Sequence, residues 1–262
     1  MRTWRDARIG LLALSVLLLF APTADALMLS YETPAGATDK DGDPVSARAD
    51  VSTTAGVLTI TLTNQLKDPH AAGQLLSDFG FTLANSTTGQ PYFVNGGSIS
   101  SSPGTERTIN SDGTFNTPFG TVAALWNLEI NSGKGNYRLC DLCNGGDAPA
   151  HTIIGDPSND GVHYTGNSSI TNGSHSPYLF GPTTFTITLG AGLSSDIYVD
   201  SAFFSFGTTE GDNVAGTCIV SCLPNLHIPE LVPEPSSLLL LFGVGIVALS
   251  RLGWRARRRP LK

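Results

Sequence analysis

Leu58-Thr59-Ile60-Thr61-Leu62-Thr63-Asn64 decides the fold class. Leucine or isoleucine occupies every second position and threonine the positions between. An extended chain therefore turns every apolar side chain to one face and every hydroxyl to the other. Ala47, Ala49 and Val51 alternate in the same way just upstream, and Thr54-Ala55-Gly56 separates the two runs. This pattern predicts a hairpin with one wet face.

Further strands are predicted on the same grounds. They fall at residues 27–33, at 76–84 with Phe79, Phe81 and Leu83 on one side, at 183–189 with Phe185, Ile187 and Leu189 inward, and at 197–206 as the closing strand. Shorter strands are expected at 91–94 and 121–130. A polar turn spans 37–45, and the Gly-, Asn- and Ser-rich stretch 132–177 reads as long loops with one short strand. No amphipathic helix breaks the series. The expected class is all-β, an antiparallel β-sandwich or jelly roll, with helices only at the two ends.

The N-terminus has the three parts of a secretory signal peptide. Arg2, Arg5 and Arg8 give a basic start, residues 9–20 an uncharged apolar core, and Ala24 and Ala26 the small residues at −3 and −1. The core is short for a retained anchor. Cleavage is expected after Ala26, so residues 1–26 form the signal and 27–222 a β-rich exported body. A Pro-containing linker follows at 223–232.

The C-terminus has its own order. Pro233-Glu234-Pro235 precedes an uncharged run at 236–250. Arg251, Trp254, Arg255, Arg257, Arg258, Arg259 and Lys262 come next. A helix over about 236–254 would be about 28 Å long, enough for a thin bilayer span if Arg251 snorkels. The cations place the tail on the cytoplasmic side and the body outside. This sequence of tripeptide, short apolar helix and Arg cluster resembles the PEP-CTERM sorting signal recognised by exosortases, over positions 233–259. The resemblance implies a precursor held transiently in the inner membrane, processing by exosortase at or near the tripeptide, and a mature form at the cell surface or outside it. It also implies a Gram-negative bacterium that makes extracellular polysaccharide. Hydropathy alone would equally allow an unprocessed single-pass anchor.

Leu58 to Asn64, Gly181-Pro182-Thr183-Thr184-Phe185 and Phe204-Ser205-Phe206-Gly207-Thr208 together resemble a class of exosortase-dependent surface proteins, over about 47–215. That class brings no catalytic residues to carry over.

Charge narrows the partners. From Leu27 to Pro235 there are six Lys and Arg against twenty Asp and Glu, a net charge of −14 with His neutral. An acidic body excludes nucleic acid or anionic lipid as partners through a basic face. The expected partners are signal peptidase and exosortase during export, the inner membrane, and extracellular polysaccharide.

Export places Cys140, Cys143, Cys218 and Cys222 in an oxidising compartment, where disulfides are expected, either within each close pair or between pairs. A zinc site is the alternative, but its usual inter-pair spacing is far shorter. Asp39, Asp41, Asp43 and Asp50 fall at positions 1, 3, 5 and 12 of a calcium-loop pattern. Pro44, however, stands where the sharp turn needs glycine, so a solvated acidic turn is expected. His151, His163 and His175 recur every twelve residues and are expected as exposed loop residues. No Gly-x-Ser-x-Gly elbow, His-Glu-x-x-His helix or phosphate-cradling glycine loop is present. The sequence thus calls for no cofactor, no metal and no catalytic residue. It predicts a non-enzymatic surface or matrix protein tied to exopolysaccharide or biofilm. The competing readings are a carbohydrate- or calcium-binding module, with Trp126, Tyr137, Tyr164 or Tyr178 as candidate sugar platforms, and a secreted hydrolase.

Overall fold

Threonine and aliphatic residues alternate along the opening stretch because they line opposite faces of one strand. In the computed structural model Leu58, Ile60 and Leu62 are fully buried, and the threonines between them are not. The structure describes residues 27–222 apart from 55, 94–95, 102–103, 118, 121–125, 132–135, 144–149, 190–195 and 209–212. The expected signal peptide at 1–26, linker at 223–232 and C-terminal segment at 233–259 lie outside the described residues. Among those described, no helix is long and apolar enough to cross a membrane.

In chain order the strands are β1 (Leu27–Glu32), β2 (Ala47–Thr54), β3 (Val57–Asn64), β4 (Leu76–Asn85), β5 (Gly97–Ser101) and β6 (Gly104–Ile109). Next come β7 (Phe115–Asn116), β8 (Phe119–Gly120), β9 (Asn127–Asn131), β10 (Asn136–Cys140) and β11 (Ile153–Ile154). The series ends with β12 (Tyr178–Phe180), β13 (Thr183–Leu189), β14 (Ile197–Phe206), β15 (Asn213–Ala215) and β16 (Thr217–Val220). Ala72–Gln74 and Gly173–His175 form single 3-10 turns. The protein is therefore all-β, as its alternation predicts.

Two sheets carry these strands. The first is antiparallel throughout, in the order β16-β1-β2-β3-β13-β5. The second runs β15-β14-β4-β11-β12-β6-β7, with β10 joining β4 to β9 and β8 beside β6. Side chains from both sheets share one core: Val51, Ile60, Phe185 and Ile187 from the first, and Phe79, Phe81, Val199 and Phe204 from the second. Tyr31 bridges them, its hydroxyl donating to the Val199 carbonyl at 2.7 Å.

The structure departs from expectation in four places. Of the strand expected at 91–94, residues 91–93 form none and 94 lies outside the described residues; Pro91, which lacks an N–H, makes only an isolated bridge to Ala84. The expected strand at 121–130 is observed as Asn127–Asn131, with 121–125 outside the described residues. The 197–206 strand does not close the fold, because β15 pairs with β14 and β16 pairs with β1. The loop region 132–177 holds two short strands, β10 and β11, and supplies Ile154, Tyr164 and Ile170 to a second apolar cluster with Leu75, Ile109 and Tyr178.

Asn64 links the two clusters at the end of β3. Its Nδ2 donates to the carbonyls of Gln74 and Ile153, both at 3.0 Å, and its Oδ1 accepts from the Leu66 N–H at 3.0 Å. It is 4% exposed, so water does not replace these bonds. Removing the amide strands three backbone groups, each costing about 1–3 kcal/mol where it stays buried and unpaired. Asn64→Ala is expected to lower the thermal unfolding midpoint of the full chain by several degrees. Gln65→Ala, next to it but exposed, should leave the midpoint nearly unchanged.

Candidate functional site

In the 37–45 turn, Asp39 Oδ1 accepts the N–H groups of Asp41 (3.0 Å) and Asp43 (2.8 Å). Asp39 is buried, while Lys40, Asp41, Asp43 and Pro44 are exposed, so the turn is solvated around one inward carboxylate. Its carboxylate is spent on closing the backbone. Asp50 belongs to a different surface: it lies on β2, where Arg48 Nη2 reaches it at 2.8 Å and Arg48 Nη1 reaches Glu32 at 3.1 Å. The four aspartates of the calcium pattern are therefore not assembled around one point.

The three histidines do not converge either. His163 pairs with Asp160 at 2.8 Å on the surface. His175 Nδ1 lies 2.8 Å from the Ser169 carbonyl. His151 is buried rather than exposed, with Nε2 3.1 Å from Glu106 Oε1 and its own carbonyl accepting Trp126 Nε1–H at 2.9 Å. The tryptophan fixes its position at the entrance to β11, in the left-handed region at φ 78°.

The candidate sugar platforms are likewise committed to the interior. Trp126, Tyr137, Tyr164 and Tyr178 are each 3% exposed or less. Tyr137 stacks on Phe81 at 5.3 Å between centroids, and Tyr178 donates to the Ile170 carbonyl at 2.7 Å. Tyr164 donates to the Gly155 carbonyl at 2.8 Å and accepts from Arg107 Nη1 at 2.6 Å. They close cores and present no ring to a saccharide. Arg107, which the sequence does not single out, lies between the rings of Phe180 and Phe115, 3.3 and 3.8 Å from their centroids. Stacking and its bond to Tyr164 hold the buried cation.

A cleft of about 260 Å³ is lined by Lys40, Asp41, Gly73, Ser169, His175 and Gly207, among others. It lies below the usual range for ligand pockets, roughly 300–1,000 Å³.

Each cysteine pair closes on itself, Cys140 with Cys143 and Cys218 with Cys222, both with Cα atoms 5.5 Å apart. Cys140 and Cys143 also lie within 4.8 Å of a Glu129 oxygen, ligand atom to ligand atom. Their sulfurs are bonded to one another, so no thiolate remains to hold zinc.

The Cys140–Cys143 ring places Asp141 against the end of β4. Asp78, with a fully buried side chain, accepts from Arg138 Nη2 at 2.7 Å, and Arg138 Nη1 lies 3.8 Å from Glu129. The Asp141 N–H donates to the Ser77 carbonyl, while its Oδ2 is buried without a hydrogen-bond partner. Burial, reinforced by the Asp78 charge, pushes the Asp141 carboxyl up from 3.8 to about 8. Burial also raises Asp78, against the opposing pull of Arg138.

The consequence has a definite sign. Below about pH 4 both folded and unfolded chains keep the Asp141 proton; between pH 4 and 8 only the folded chain keeps it. Stability therefore falls as pH rises through that window and levels off above it. Asp141→Asn is expected to raise the thermal midpoint at pH 7.5 and to flatten its decline between pH 4 and 8. Melting curves of the two proteins across that range check this.

The sequence-predicted sorting residues Pro233, Glu234, Pro235, Arg255, Arg257, Arg258 and Arg259, and the cleavage residues Ala24 and Ala26, lie outside the described residues. For the sorting segment, comparison with known families supplies the finding. The model of the PEP-CTERM protein-sorting motif matches residues 231–259. No curated protein and no solved structure matches the chain. The chain carries a PEP-CTERM protein-sorting motif, the mark of an exosortase-targeted exported surface protein.

Proposed function

We propose that this chain is a non-enzymatic surface or matrix protein associated with extracellular polysaccharide, with the two-sheet body as a sandwich-class module displayed outside the cell. The signal peptide at 1–26 directs export. The segment at about 236–254 anchors the precursor in the inner membrane until exosortase acts at or near Pro233-Glu234-Pro235. The sorting motif at 231–259 is the observation that carries this reading. The acidic balance of the body suits a solvated extracellular protein rather than a nucleic-acid binder.

A binding role rather than catalysis is supported by where the titratable groups are spent. Arg138 is engaged by Asp78, His151 by Glu106 and Asp160 by His163. Asp39 is engaged by its own turn. These groups are held by protein partners rather than presented to a substrate, and Asp141, whose Oδ2 has no partner, is enclosed by burial.

The reading is tested by the location and intact mass of the mature protein in cells with and without their exosortase. The expected result is a surface or medium form lacking the tail in the first and a membrane-bound form retaining it in the second. An identical C-terminal tail in both strains would overturn the reading.

A further inference from the structure

The outward face of the first sheet carries an array of hydroxyls. Strand pairing aligns Ser100, Thr186, Thr59 and Ser52 in one row across β5, β13, β3 and β2. A second row runs Ser98, Thr188, Val57 and Thr54. A third brings Thr184 against Thr61, their Oγ1 atoms 2.9 Å apart. The residues between them, Ile99, Leu58, Ile60, Phe185 and Ile187, turn inward to the shared core. The rows stand two residues apart along each strand, and neighbouring strands lie about 4.8 Å apart, so four strands span roughly 14 Å.

This composition is not what solubility or strand formation alone requires. Threonine favours strands, but the serines at 52, 98 and 100 do not. Exposed sheet edges are commonly guarded by charge or proline, yet β5, which ends this sheet's strand order among the described residues, reads Gly-Ser-Ile-Ser-Ser. Among the described strand residues, charge on the face is confined to the β1–β2 flank, where Arg48 pairs with both Glu32 and Asp50. Asp50 stands opposite Thr61, so the uncharged part of the hydroxyl face covers β5, β13 and β3 and borders a charged flank, on a body of net charge −14.

We propose that this face binds a neutral polysaccharide, an inference that rests on the polysaccharide association proposed above and supplies its surface. Each hydroxyl both donates and accepts, which matches the mixed donors and acceptors of a polyol. The threonine methyls and Val57 offer apolar contact to sugar C–H groups between the hydroxyls. Single hydroxyl contacts are weak, so the occupant is a polymer that crosses several rows at once. The acidic remainder of the body repels anionic chains and selects a neutral one.

The test uses the full chain purified in detergent, with microcrystalline cellulose for co-sedimentation, dextran for affinity electrophoresis and alginate as the anionic comparison. Retention by at least one neutral glucan and none by alginate is expected. Thr59→Val combined with Thr186→Val, which keeps shape and strand preference, should weaken retention at least tenfold with an unchanged thermal midpoint. Thr186→Ser, which keeps the hydroxyl, should retain binding. No retention on either glucan, equal retention by the double valine variant, or stronger binding to alginate would overturn the proposal. So would self-association abolished by the same valines without glucan binding, which would assign the face to a second copy of the chain. Normal exosortase-dependent surface delivery together with absent glucan binding sinks this inference alone. Failed delivery together with glucan binding in vitro sinks the sorting reading and leaves the face assigned.

Discussion

Val51 faces Ile60, and Ile60 faces Phe185 across the next ladder. That lockstep of β2, β3 and β13 is the constraint on which the rest depends. Side chains alternate with a period of two, so a slip of one residue would send Leu58, Ile60 and Leu62 to water and bury Thr59, Thr61 and Thr63. Correct register completes one wall of the core, and the second sheet can then close over it through Phe79, Phe81 and Phe204. The same register arranges the hydroxyls outside. Core and surface are two readings of one alternation, and neither can be altered without the other.

The disulfides do a different job from staples that join distant parts of a chain. Their loops span sequence separations of 3 and 4, where closing the ring removes little freedom from the unfolded state. Their effect is local. One ring presses Asp141 against Asp78 and Arg138 at the end of β4. The other joins Cys218 within β16 to Cys222 just beyond it, at the last described turn. Long-range cohesion comes instead from buried polar links such as Asn64 and Tyr31, which tie elements far apart in sequence.

The sequence was most readable where apolar and polar residues alternate without interruption, as in β2, β3 and β13. Strand β4 was found as well, but its burial on both faces was not: Gly80 gives way to the Phe203 ring, and Asp78 is covered through Arg138. Strand β5, Gly-Ser-Ile-Ser-Ser, gives no strand signal because Gly and Ser look like turn residues until a neighbouring strand claims their backbone bonds. The burial of Tyr164 and Tyr178 is left open by the sequence for a related reason. An aromatic or imidazole in a Gly- and Asn-rich segment has no local signal of burial; only the second apolar cluster, assembled from five separate segments, supplies it. The sorting signal was legible because it is linear, with charge, length and order carrying its information and no tertiary contact required.

Strand β16 pairs with β1, Glu32 opposite Thr217 and Ser30 opposite Val220. A chain threaded outward from its N-terminus delivers β1 first and β16 last of all the described strands. Until about residue 220 has emerged, one edge of β1 lacks its partner. In that order of delivery the first sheet is completed last, by the described strand nearest in sequence to the sorting motif.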